Sequence, residues 1–188
     1  MGLWHFQQSR EPAAMQALRL LPEPRVIADF ALTDQDGHAF TLASLQGRWT
    51  LIFFGFTHCP DVCPTTLYDL SGVHKQLLGR LGANSGDHQV VFISVDPERD
   101  TPERLKSYVS YFHPDFIGVS GSDAQLRPLA LQLGAAYHVE DHEPGTEQYA
   151  VDHSASILLT DPSGRLYGVF PAPHDVGKLT ADMAAVLR

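Results

Sequence analysis

The order of apolar runs along this chain predicts an α/β three-layer fold, with a mixed central sheet and flanking helices. Three observations carry that expectation. Trp49 to Phe56 and Val90 to Val95 are near-continuous apolar runs, as expected of strands buried on both faces and paired in parallel. Segments of helical period alternate with such runs from Pro64 to Gly134. Late in the chain, two short apolar runs flank Asp161-Pro-Ser-Gly164, the signature of a hairpin, which adds antiparallel strands to the sheet.

The elements follow in order. Met1 to Pro24 reads as an extension or a short helix (Ala13 to Leu21) closed by Pro-Glu-Pro. Ile27 to Leu32 and Ala39 to Leu42 flank a turn at Asp36-Gly37 and predict an N-terminal β-hairpin. A helix from Pro64 to about Leu81 places Leu67, Leu70, Val73, His74, Leu77 and Leu78 on one face. After the strand Val90 to Val95 comes a turn, Asp96 to Asp100. Thr101 then caps a helix opened by Pro102, with Tyr108, Val109 and Phe112 turned inward. Phe116 to Val119 is a short strand, and Ser122 caps a helix that Pro128 kinks and Gly134 ends. Ala135 to Val139 is a strand, followed by an acidic loop from Glu140 to Glu147. Ser156 to Thr160 and Leu166 to Phe170 form the second hairpin, and Asp175 to Leu187 is the last helix. With no internal repeat and no low-complexity linker, the expected organisation is an extension over residues 1–24 and one domain over residues 25–188.

Composition narrows the function classes. The chain has 188 residues, of which 13 are basic and 22 acidic, for a formal charge of −9. No basic cluster occurs, so nucleic acid is not an expected partner. No run approaches the roughly 20 apolar residues of a membrane span, and Met1 to Phe6 is too short for the apolar core of a signal peptide.

The two cysteines carry most of the functional information. Cys59 and Cys63 lie in one short loop, Gly55-Phe-Thr-His-Cys-Pro-Asp-Val-Cys-Pro64, at the end of an apolar strand. The pair can form a disulfide, chelate a soft metal, or do both in turn. A purely structural bridge is a poor explanation, because so short a loop gains only about 2 kcal/mol in the chain-entropy model, against about 4.7 for a long one. Pro64 favours a helix start, which puts Cys63 at or just before the first turn. Unpaired N–H groups and the helix dipole would stabilise a thiolate there, the form that binds metals and attacks disulfides.

Three segments together resemble the Sco/SenC family: the cysteine loop, Val95-Asp-Pro-Glu-Arg-Asp-Thr-Pro102 and Val151-Asp-His-Ser154. The resemblance runs from about Val26 to Leu187. It implies a thioredoxin-like fold and a copper protein that assists assembly of the dinuclear copper centre of cytochrome c oxidase. It also implies that Cys59 and Cys63 are the redox-active, copper-binding pair and that His153 is the histidine ligand. The chemistry agrees: two thiolates select Cu(I), and an imidazole completes a three-coordinate site that tolerates Cu(II). His153 lies ninety residues beyond Cys63, on an expected loop at one edge of the sheet, so only the fold can join them. Asp152 could orient its imidazole, or cap the loop. His58 is expected to point away from the metal, as neighbours in extended chain do. His138 and His142, with Asp141 and Glu143, form either a secondary metal site or a solvated acidic loop. Asp61 could tune charge between the cysteines.

Family members typically carry one N-terminal membrane helix and face the bacterial periplasm or the mitochondrial intermembrane space. That helix is absent here, and Met1-Gly-Leu-Trp-His-Phe6 reads as an artificial start just after a removed anchor. The expected partner is the copper-centre subunit of the oxidase or another copper protein. The alternative is a thiol–disulfide oxidoreductase that keeps the cysteines of an oxidase subunit reduced. Thioredoxin-type reductases space their cysteines by two residues, not three. A peroxiredoxin needs a threonine where this chain has Pro60 and a late arginine where none lies between Arg127 and Arg165.

Overall fold

The run Trp-Thr-Leu-Ile-Phe-Phe-Gly forms the middle of the sheet in a computed structural model that describes residues 15–81 and 87–187. This strand, β4 (Trp49–Gly55), and its neighbour β5 (His88–Ser94) are buried along nearly their whole length. Both sheet faces are therefore covered, and the layers are helix, sheet, helix. β4 and β5 pair in parallel with Trp49 opposite His88 and Gly55 opposite Ser94. β6 (Ile117–Ser120) continues the parallel set beyond β5. On the other side of β4 lies the second hairpin, β9 (Ile157–Thr160) and β10 (Arg165–Phe170), with β9 antiparallel to β4. The sheet is therefore mixed, as expected. The first hairpin, β2 (Ala31–Asp34) and β3 (Ala39–Thr41), closes the β6 edge, where Gly37 supplies the positive φ of 81° that its turn requires.

Five helices complete the described chain: α1 (Leu42–Leu45), α2 (Val62–Leu81), α3 (Pro102–Phe112), α4 (Asp123–Leu133) and α5 (Val176–Val186). Their signals act as the sequence implies. Thr101 accepts a hydrogen bond from the Arg104 amide ahead of Pro102, and Gly134 ends α4 in the left-handed region. α2 packs against both α3 and α5.

Several expectations need correction. The described part of the expected helix Ala13 to Leu21 is not helical, and residues 1–14 lie outside the described residues. Arg19–Val26 is instead strand β1, antiparallel to β10 at the sheet edge. Pro22 and Pro24 explain the choice, since proline breaks helices but is tolerated on an edge strand with outward N–H positions. The first hairpin strand begins at Ala31 rather than Ile27, and Leu42 opens α1. Leu78 is exposed rather than inward. Ala135 to Val139 shortens to β7 (Tyr137–Val139), which leaves the main sheet and pairs with an unforeseen strand, β8 (Val151–His153).

Asp182 ties the start of the described chain to α5. Its buried carboxylate accepts hydrogen bonds from the amides of Gln16, Ala17 and Leu18 at 2.7–3.0 Å. Asp182→Ala leaves three amides without their charged acceptor. It is expected to lower the unfolding free energy by about 2–4 kcal/mol, measured as a drop in the urea midpoint.

Candidate metal centre

β4 ends at Gly55, and the chain turns through Phe56 to Asp61 before entering α2 at Val62. Cys59 and Cys63 flank that entry, Cys59 half-buried in the loop and Cys63 fully buried in the first turn. The helix therefore starts two residues earlier than Pro64 suggests, with the Asp61 carbonyl accepting from the Thr65 amide. Asp61 itself is exposed, and its carbonyl rather than its charge does the visible structural work.

Ninety residues on, β8 delivers His153 to the same spot. Its Nε2 lies 3.1 Å from Cys63 Sγ. The Cys63 amide, at the helix start, points at Cys59 Sγ at 3.4 Å. One ligand atom from each of Cys59, Cys63 and His153 falls within 4.8 Å of the others. Both cysteines are free thiols.

The protonation pattern follows from burial. Burial pushes the Cys63 thiol far above its ordinary range, and the neighbouring Cys59 adds to the rise. The helix start thus does not make Cys63 acidic, contrary to expectation, because desolvation outweighs the dipole. The Cys63 amide is directed at Cys59 Sγ. Burial also lowers the His153 pKa, so the ring is neutral near pH 7. Its Nδ1 lies 3.1 Å from the Ser154 carbonyl, to which Nδ1–H donates. That tautomer leaves the Nε2 lone pair facing Cys63, the form in which imidazole binds a metal. The orienting partner is the Ser154 carbonyl, not Asp152, which is exposed because adjacent strand residues face opposite sides. Phe53 and Phe56 hold the ring edge-on, at centroid distances of 5.7 and 5.8 Å.

The segment Asp96 to Asp100, expected to be a turn within one of the three resembling segments, also supports the cysteine loop. Asp100 is buried and accepts from the Thr57 amide (2.9 Å), the Thr57 hydroxyl (2.5 Å) and the Ser94 hydroxyl (2.5 Å). It thereby fixes the loop that carries Cys59. Asp96, also buried, accepts from Arg99 and from the Tyr149 hydroxyl. The Arg99 guanidinium lies over the Tyr149 ring at 3.6 Å and nearer its edge of reach over Phe56 at 5.6 Å. These contacts link the cysteine loop to the segment entering β8. The signal for them was two aspartates within six residues of the end of an apolar strand, where burial demands partners.

The remaining candidates separate. His58 turns toward Asp100, 3.7 Å from its Oδ1, and not toward the cysteines. His142 uses both ring nitrogens, on the Glu140 carbonyl and on Glu98, and stacks on Tyr149 at 3.6 Å. His138 is exposed on β7. Neither belongs to a converging group of ligand atoms among the described residues. The acidic loop is accordingly a clasp over Tyr149.

Gly55 is required by close approach. A Cβ there would stand 2.6 Å from Cys63 Sγ and 2.7 Å from the Phe92 ring. Gly55→Ala is expected to cost about 1–3 kcal/mol of stability and to displace Cys63. Thermal unfolding and faster alkylation of this otherwise shielded thiol would report both effects.

The family model described as SCO1/SenC matches residues 19–188. The chain belongs to the SCO1/SenC family. A candidate copper-binding protein of Stutzerimonas stutzeri is 42% identical over 172 residues, covering 89% of this chain and 80% of the relative. The structure of Bradyrhizobium japonicum ScoI with copper bound is 39% identical with a TM-score of 0.72, covering 84% of this chain and 96% of that one. Apo Sco1 from Thermus thermophilus aligns at a TM-score of 0.80 with 36% identity, covering 93% and 99%. The thioredoxin-like fold expected for a Sco protein is therefore the fold of this chain. No described helix is long and apolar enough to cross a membrane.

Proposed function

We propose that this Sco protein binds one copper ion through Cys59, Cys63 and His153 and passes it to the dinuclear copper centre of a cytochrome c oxidase subunit. The convergence of two sulfurs and a correctly tautomerised imidazole nitrogen within 4.8 Å carries this reading. Two soft thiolates suit Cu(I), and the imidazole extends the site to Cu(II). Loading releases the Cys63 proton, since burial keeps that thiol protonated until a cation replaces the proton. Phe53 and Phe56 flank His153 and limit water there, while the half-buried Cys59 leaves one side from which a recipient can take the ion. Its proposed place is the periplasmic side of a bacterial inner membrane, held there by a membrane anchor.

Oxidation of the pair closes this route. An added two-electron oxidant such as a diazene takes up two electrons and two protons as the Cys59–Cys63 disulfide forms, leaving no thiolate for copper. Oxidised protein is expected to take up no Cu(I) at this site until a reductant is added. The function itself is tested by mixing copper-loaded protein with the metal-free soluble domain of an oxidase copper subunit. The reading calls for copper absorption to appear on the recipient as it leaves this protein. Retention of copper on this chain would refute delivery.

A second reading, thiol–disulfide reduction of the same recipient, draws on one observation. Cys59 is the more accessible thiol and faces the helix-start amide, the usual position of an attacking cysteine.

A further inference from the structure

At the other end of the sheet, three histidines scattered in sequence gather around α2. His74 lies on the inward face of α2, His88 opens β5, and His113 caps α3, with Asp115 in the turn that follows. His74 Nδ1 is 2.9 Å from His88 Nε2, and the His74 and His113 rings lie 4.2 Å apart. Asp115 Oδ2 stands 3.9 Å from His74 Nε2 and 3.8 Å from His113 Nδ1. His74 is only 7% exposed, and among the described residues its buried Nε2 has no hydrogen-bond partner. Buried polar atoms seldom stay unpaired. Packing alone accounts for the His74–His88 contact but not for this nitrogen.

We infer that His74, His113 and Asp115 form a second metal site, for a divalent first-row transition ion such as zinc. Ligand atoms from these three residues fall within 4.8 Å of one another, and two imidazoles with a carboxylate suit such ions. With the His74 proton on Nδ1, donated to His88, the Nε2 lone pair faces His113 and Asp115. His88 then orients His74 as outer partners commonly orient ligating histidines. Burial and the neighbouring histidines lower the His74 pKa to about 4, so the ring is neutral and free to ligate near pH 7. Donors at about 2.0–2.2 Å from a tetrahedral ion stand about 3.4 Å apart, so the 3.9 and 3.8 Å separations from Asp115 Oδ2 close by roughly half an ångström on binding. The Asp115 side chain is 74% exposed and can make that movement. The amide of Asp115 donates to His113 Nδ1 at 3.2 Å, a long bond with which the ion competes.

The two sites are independent. Along β4 and β5 they are separated by the six-residue register from Gly55–Ser94 to Trp49–His88, about 20 Å at the rise of a strand. The test therefore removes the first site by combining Cys59→Ser with Cys63→Ala in the full chain and titrates Co2+, with zinc as competitor. One saturable Co2+ per chain is expected, with ligand-field bands and no thiolate charge transfer. His113→Gln and Asp115→Asn should each weaken it at least tenfold. Asp115→Asn changes an exposed side chain, so it decides the matter if His113→Gln fails to fold. Absence of saturable binding overturns the assignment. So does an affinity unaltered by Asp115→Asn, which would mean that other histidines hold the ion.

Discussion

Replacing Cys63 with serine is expected to abolish tight Cu(I) binding while leaving the fold in place. Cys63 is fully buried, touches His153 Nε2 and has no room for a new group beside Gly55 and Phe92. A serine hydroxyl fits that space and keeps a donor for His153, so the packing loss is small. Its oxygen, however, is a hard ligand and stays protonated at neutral pH. Binding free energies of about 10–16 kcal/mol for four-ligand sites put each ligand at about 3 kcal/mol, so the loss is on the order of a hundredfold or more. Cys59→Ser acts in the same direction, without the burial. Competition with a chromophoric Cu(I) chelator under anaerobic conditions measures both. Unchanged affinity in Cys63→Ser would remove the thiolate pair from the site.

His153→Ala separates a copper protein from a plain reductase. Imidazole is the stronger partner for Cu(II), whereas two thiolates alone can hold Cu(I) in a linear arrangement. The variant is expected to lose most Cu(II) affinity and to change its thiolate-to-copper absorption, while Cu(I) binding survives in part. Removing a ring seated between Phe53 and Phe56 also costs stability, about 1–3 kcal/mol, so unfolding is measured on the same preparation. Disulfide exchange should change little, because His153 touches the buried Cys63 rather than the more accessible Cys59. If the Cu(II) spectrum matches the parent and only exchange slows, the oxidoreductase reading takes over.

The sequence made the sheet centre readable because Trp49 to Phe56 and Val90 to Val95 are near-continuously apolar, a pattern few other elements produce. The caps at Thr101 and Gly134 were equally plain, since each solves a local backbone problem. β1 was hidden because Leu20 and Val26 stay exposed on an edge strand and give no alternation. β8 was hidden by its length of three residues, too short for any period. At the site, the cysteine pair was legible from spacing, and His153 only through the family resemblance. Its orienting partner is a backbone carbonyl, which no sequence motif marks. The roles of Asp96 and Asp100 needed coordinates too: they depend on Thr57, Ser94 and Tyr149 converging from distant parts of the chain.

The central claim is that one copper ion sits between Cys59, Cys63 and His153. X-ray absorption at the copper edge, on reduced protein loaded anaerobically with one equivalent of Cu(I), tests it most directly. The account calls for two sulfur neighbours and one imidazole nitrogen around each copper, with the nitrogen signal lost in His153→Ala. A first shell of nitrogen and oxygen alone, or one that keeps its imidazole in His153→Ala, would contradict it.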